Sequence, residues 1–415
     1  MKIVEKSDRK EIILKLNDKI SENNFDYYWK DFKSFPLALY NSNEVYLVNY
    51  KKLPKGYYID EKVAVGKPDE KFVGNTVINL EGQYTAIWDM DTLDEMINLD
   101  KLYSEVVHEM FHAYQFENGE KKFGNEVIYF TYKFTGEFLD LRMKEREYLL
   151  KAVFEDDKAK KKKLISDFIS IRECRRNIIG ERINYEYGIE STEGTATYVE
   201  YKAFQKETNL PSKYIAARYG KELVENNDLM DFRASCYFSG MFIALIMDSL
   251  CENWQTSYDN SEMYLYDYFK CQIEWTPKDF VPQSNAYISY ILRNYDNLIR
   301  KEITDFYING GYNIILDGRF SITRFDPMNV ISLDGRLLHK TFVMLNNKYL
   351  IKEKVVTTYE ENNVLTANSV EFFVKNAPLM IEGGIYIEGI GDLKGKVVET
   401  TKGYIVKFKQ PFVDY

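Results

Sequence analysis

His108-Glu109-Met110-Phe111-His112 constrains this chain more than any other stretch of it. The five residues spell H-E-x-x-H and use two of the chain's three histidines. In a helix, positions i and i+4 share a face, so both imidazoles can address one ion. Glu109 then lies beside that ion with no ligand role of its own. Two His ligands and a Glu base are the parts of a zinc hydrolase. The flanks predict the helix. Leu99, Leu102, Val106, Met110 and Ala113 recur at helical spacing, and Val107, Phe111 and Tyr114 widen the stripe. A helix this apolar around its girth lies inside a domain. Unpaired imidazoles would be costly there, whereas imidazoles on a metal are not. The alternative is a pair of helix histidines satisfied by polar neighbours.

A catalytic zinc usually takes three protein ligands and keeps a fourth position open. His339 is far off in sequence, so a carboxylate on another helix is expected as the third. Residues 185–200 offer one. Glu186, Glu190, Glu193, Thr197 and Glu200 step by three and four and line one predicted helical face. Gly194, Thr195 and Ala196 are small enough for a neighbouring helix to come close. The alternative is an acidic solvated face, but aromatics rather than lysines accompany the charge, at Tyr185, Tyr187, Tyr198 and Tyr201.

Glu193-Gly194-Thr195-Ala196-Thr197-Tyr198-Val199-Glu200 resembles the E-G-x-x-x-Y-x-E segment of the gluzincin metallopeptidases, especially the aminopeptidase N and leukotriene A4 hydrolase group. The resemblance implies that Glu193 is the third zinc ligand, with Glu190 one turn away as its rival. Tyr237-Phe238-Ser239-Gly240, leading into the apolar run 241–247, is similar to that group's Y-x-x-G helix. It implies that Tyr237 donates a hydrogen bond to the tetrahedral intermediate. The gap from His112 to Glu193 is far longer than in that group, and its G-x-M-E-N strand motif is absent. The resemblance thus spans three short segments and implies a gluzincin peptidase rather than an aminopeptidase.

The 415 residues suffice for two or three domains, with 45% hydrophobic and 29% charged content, ordinary for a chain that can bury a core. A net charge of -9 speaks against nucleic acid or an anionic membrane as partner. The run Lys158-Ala159-Lys160-Lys161-Lys162-Lys163 therefore reads as a solvated helix start. No apolar run is expected to span a membrane, and Met1 to Lys6 carry no secretory h-region. Four scattered cysteines fit reduced thiols in a cytoplasmic protein. The 34 tyrosines can line a peptide groove, but the abundance of Lys, Asn and Ile favours plain compositional bias.

The expected fold class is α+β, a zincin (thermolysin-like) catalytic domain over residues 1–308 and a small β-rich domain over 309–415. Within the first, 1–120 hold a mixed sheet and the metal helix, and 121–308 a helical half. Strands are expected at 44–48, 57–59, 62–65, 76–80 and 84–89, with Tyr84 to Trp88 either an edge strand able to pair with substrate, as in zincins, or a plain buried strand. Thr92-Leu93-Asp94-Glu95 fits a capping box. Helices are expected at 10–23, 134–154, 162–183 and 286–305. Past residue 309, Gly- and Asn-rich turns separate short strands such as 320–323 and 341–345. His339 falls there and is expected to be structural or exposed.

The sequence thus predicts a zinc metallopeptidase with one Zn²⁺ per chain on His108, His112 and Glu193. Glu109 is the expected general base, Tyr237 the oxyanion donor, and Glu190 or Glu200 the acceptor that orients an imidazole. Its expected partner is a peptide or protein substrate. The alternatives are a non-catalytic zincin-fold binding protein and a zinc hydrolase with a non-peptide substrate.

Overall fold

Apolar runs among the first hundred residues pair into a six-stranded mixed sheet. Its order is Tyr58–Asp60, Val63–Gly66, Val45–Val48, Leu37–Tyr40, Gln83–Asp89, Thr76–Leu80. Leu37–Tyr40 runs parallel to Gln83–Asp89, and every other pair is antiparallel. Leu37–Tyr40 is buried at all four positions. It therefore lacks the alternation that marks a half-exposed strand in a sequence. In this computed structural model residues 3–6, 9–130, 132–225, 229–308, 310–360 and 363–408 are described. Met1, Lys2 and Asn309, on which the N-terminal and boundary expectations fall, lie outside them.

Two expectations near the metal helix need correction. Gln83–Asp89 is flanked on both sides, so the edge strand on that side of the sheet is Thr76–Leu80. The apolar alternation of 84–88 shows a buried face, and an inner strand has one just as an edge strand does. Nor does Thr92 to Glu95 cap a helix. Met90–Thr92 forms a single 3-10 turn, and the strand Met96–Asn98 follows, paired with Ile3–Glu5. Asn98 is the true N-cap, accepting from the amides of Asp100 and Lys101.

The metal helix Leu99–Glu117 packs on Gln83–Asp89 and Thr76–Leu80. All eight residues of its predicted apolar face are buried. Behind it Trp29 meets Phe111, Tyr198 and Trp254 at centroid distances of 5.1, 6.0 and 5.1 Å. The helical middle includes Gly136–Phe154, Lys158–Ile179, a continuous helical stretch over 184–208, Ser212–Glu225 and Phe232–Leu250. The lysine run opens Lys158–Ile179, capped by Asp157.

Among the described residues one helix, Leu229–Leu250, is long and apolar enough to cross a membrane by length and composition, contrary to the sequence expectation. Within its most apolar stretch 61% of the residues are buried inside the protein. It packs on the 184–208 helix at Gly194 and Gly240. A Cβ on Gly240 would lie 2.6 Å from the Glu190 carbonyl oxygen, and one on Gly194 would lie 2.6 Å from Gly240 Cα. Only two glycines allow that approach.

The chain packs as two compact units. One comprises Met1–Gly124, Asp140–Asn227 and Phe232–Pro282, the other Asn125–Leu139, Asp228–Asp231 and Gln283–Tyr415. The division differs from the expected one at 308/309. Ile299, Ile303 and Phe306 of the helix Ala286–Ile308 form a core with Ile331, Leu338 and Val356 of the β-rich region. The helical periodicity of 286–308 reveals an apolar face but not which partner covers it. The second unit holds a nine-stranded sheet around the long strands Tyr312–Phe325 and Asn363–Val374, and a three-stranded sheet. His339 is buried in the strand Arg336–His339, where burial pushes its pKa down to about 4 and keeps it neutral.

Candidate metal centre

His108 and His112 stand one turn apart on the metal helix, and their Nε2 atoms approach to 3.1 Å. The carboxylate of Glu193 completes the group, its Oε2 lying 3.2 Å from His112 Nε2 and 3.4 Å from His108 Nε2. A tetrahedral ion with bonds of about 2.0–2.1 Å sets its ligand atoms about 3.3 Å apart. The three atoms therefore sit at the separations of three corners of such a site, and the group can hold a metal ion.

The outer nitrogens establish that these lone pairs are available. Gln115 Nε2 donates to the Thr192 carbonyl at 3.0 Å and to Thr195 Oγ1 at 3.1 Å. Its Oε1 therefore faces His112 Nδ1, at 2.8 Å, and must accept from it. On His108, Nδ1 donates to Glu200 Oε2 at 3.2 Å, while Tyr219 donates to Glu200 Oε1 at 2.8 Å. With protons on both Nδ1 atoms, both Nε2 atoms can bind an ion. Sequence reasoning named Glu200 for this task and missed Gln115, three residues past His112 on the same helix. Gln115→Ala and Glu200→Ala are each expected to lower metal affinity roughly 10–100-fold with the fold retained. Competition with a calibrated chelator measures it.

Glu193 reaches the histidines because its helix widens. Glu190–Gly194 is a π turn, interrupting the α-helical spacing that continues in Thr195–Thr208. Such a turn leaves carbonyls short of their usual α-helical donors, and neighbouring hydroxyls serve them. Ser191, Thr192, Thr195 and Thr197 each donate to the carbonyl four residues back. The expected single acidic face is thereby divided. Glu193 and Glu200 turn toward the metal helix. Glu190 instead receives Arg172 at 2.7 and 2.8 Å together with Ser239, and Glu186 receives Arg175. Glu145 pairs with both arginines, so the set is a buried ion network. Glu190 is thus engaged elsewhere.

Glu109 follows His108 on the helix and feels the charges of His108, His112 and Glu193. Among the described residues nothing hydrogen-bonds its carboxylate. Burial pushes its pKa up, against the pull of His108 and His112. Tyr237 lies beside the centre, its ring stacked on His108 at 6.3 Å and 22°. Burial and then the Glu193 charge raise its pKa well above the ordinary value, so it keeps its proton. Burial opposes ionisation of Glu193, but His112 and Arg233 prevail and hold it well below the usual carboxylate range. Arg233, which sequence reasoning missed, donates to Glu193 Oε1 at 3.0 Å and to the Tyr237 hydroxyl. The signal was its place one turn before Tyr237.

A proton competes with an ion for His108. Burial disfavours charge on His108, yet hydrogen bonds to Glu193 and Glu200 overcome it and push the pKa up to about 10. A raised pKa stabilises the metal-free fold below the unfolded value of about 6.5, a contribution lost as pH rises toward 10. An ion must displace that proton. Metal affinity is therefore expected to rise with pH through this window, with proton release on binding. Calorimetry in buffers of different ionisation enthalpy counts the protons, and none released at pH 7 would contradict the assignment.

Compared with known protein families, with curated proteins and with solved structures, the chain has no match.

Proposed function

We propose that this protein is a zinc-dependent peptidase of the gluzincin kind, its first unit a zincin-like catalytic domain. The observation that carries the reading is the convergence of His108, His112 and Glu193 within 3.4 Å, with Glu109 unbonded beside them. Zinc held by these three would supply a Lewis acid for a carbonyl oxygen and a water of lowered pKa. Glu109 takes the proton of the attacking water and passes it to the leaving amine. Its raised pKa suits a group that must hold that proton between the two steps. Tyr237, proton in place, donates to the oxygen where negative charge develops.

An extended peptide suits the surroundings. Thr76–Leu80 is an edge of the sheet on which the metal helix packs, with no further strand paired to it among the described residues, and an edge can accept one more strand. The test is direct. Purified protein is expected to contain one zinc per chain and to cleave an unfolded protein substrate. A strong chelator should abolish cleavage and added zinc restore it. Protein that takes up no zinc would sink the site. Zinc-loaded protein that cleaves no peptide from a broad library would leave a binding protein or a hydrolase of another substrate class.

A further inference from the structure

We propose that Arg233 is a positioning residue of this centre, fixing Tyr237 as a one-way hydrogen-bond donor and leaving Glu193 a single oxygen for the ion. The proposal rests on the peptidase reading. Arg233 and Tyr237 sit one turn apart on Phe232–Leu250, and the guanidinium lies 5.2 Å from the Tyr237 ring centroid. Its two terminal nitrogens divide their work, Nη2 donating to Glu193 Oε1 at 3.0 Å and Nη1 to the Tyr237 oxygen.

Donor and acceptor are unambiguous here. A guanidinium has five N–H donors, no acceptor, and does not lose its charge. The Tyr237 oxygen must therefore accept from it. A hydroxyl has one proton, and that proton must leave in another direction. Among the described residues no group accepts it, so it is available to an incoming oxygen. The same cation settles the carboxylate. Glu193 turns Oε2 toward both histidines and leaves Oε1 on Arg233. With Oε1 engaged, Glu193 offers an ion one oxygen, and a further position stays open for water or substrate. A lysine is a point charge and cannot hold both acceptors in the planar fork.

The experiment uses the full chain, loaded with zinc for kinetics and with cobalt(II) for spectra. Arg233→Met is expected to lower kcat by about 10²-fold, the cost of losing one oxyanion donor, with KM changed less than about threefold. Tyr237→Phe added to it should cost nothing more, because the arginine acts through that hydroxyl. The visible bands of cobalt-loaded Arg233→Met should weaken toward those of a five-coordinate ion as Glu193 Oε1 is released. Should Arg233→Met fail to fold, Arg233→Lys keeps the charge and is expected to lose most of the same kcat. Losses that multiply in the double variant, or wild-type kcat in Arg233→Lys, would overturn the action through Tyr237. A cobalt spectrum identical to wild type would overturn the hold on Glu193. A wild type that cleaves no peptide sinks the peptidase reading instead, and the cobalt spectra still decide the hold on Glu193.

Discussion

Glu109→Gln is expected to keep its zinc and its fold while losing roughly 10²–10⁴ in turnover. The substitution preserves size and hydrogen-bonding reach but removes the basic oxygen. The carboxylate makes no hydrogen bond among the described residues, so the fold loses only its attraction to His108 and His112. Removing it even relieves a buried charge that burial already disfavours. Stability should therefore be unchanged or slightly raised. Zinc analysis, a thermal melt and kcat on one peptide substrate separate the three quantities. Wild-type turnover in Glu109→Gln would refute the assignment of the base.

The two neighbouring glutamates should fail in opposite ways. Glu193→Ala removes a ligand and should collapse zinc affinity, leaving a folded chain. Glu190→Ala leaves the ligands in place but strips Arg172 of the carboxylate it holds through two hydrogen bonds. Both Arg172 and Glu190 are fully buried. Arg172 keeps only its longer contact to Glu145, at 3.2 Å, and the buried network is left one negative charge short. Breaking a buried pair in this way costs on the order of 3–5 kcal/mol, which should appear as a lower unfolding midpoint in urea. Zinc affinity in whatever fraction remains folded should change far less than in Glu193→Ala. If Glu190→Ala lost zinc and Glu193→Ala lost only stability, the ligand would have to be Glu190.

The buried network makes this separation possible. Arg172, Arg175, Glu145, Glu186 and Glu190 fasten the segment just before Glu193 to Gly136–Phe154 and Lys158–Ile179. The stretch between His112 and Glu193, long for a resemblance to gluzincins, is therefore no mere spacer. It carries the arginines that hold Glu186 and Glu190 away from the metal helix.

The sequence by itself located the helix that carries His108 and His112 and named Glu193 as the group that joins them. H-E-x-x-H and its apolar flanks are local, set by a 3.6-residue period that acts over a few turns. The same period located the long helices, and the strand pattern located five of the six strands in the N-terminal sheet, but few of those past residue 309. The tertiary structure decided what depends on phase and partner. An assumed α period put Glu186, Glu190, Glu193 and Glu200 on one face. The π turn at Glu190–Gly194 divided them, and only the close packing of Gly194 on Gly240 and the waiting arginines give each acid its neighbour. Burial looks alike in an inner and an edge strand, so periodicity could not place Thr76–Leu80 at the border. Nor could it tell which core would take the helix Ala286–Ile308. Gln115 and Arg233 escaped because their roles lie in the direction of a hydrogen bond, and a direction exists only once the partner is in place.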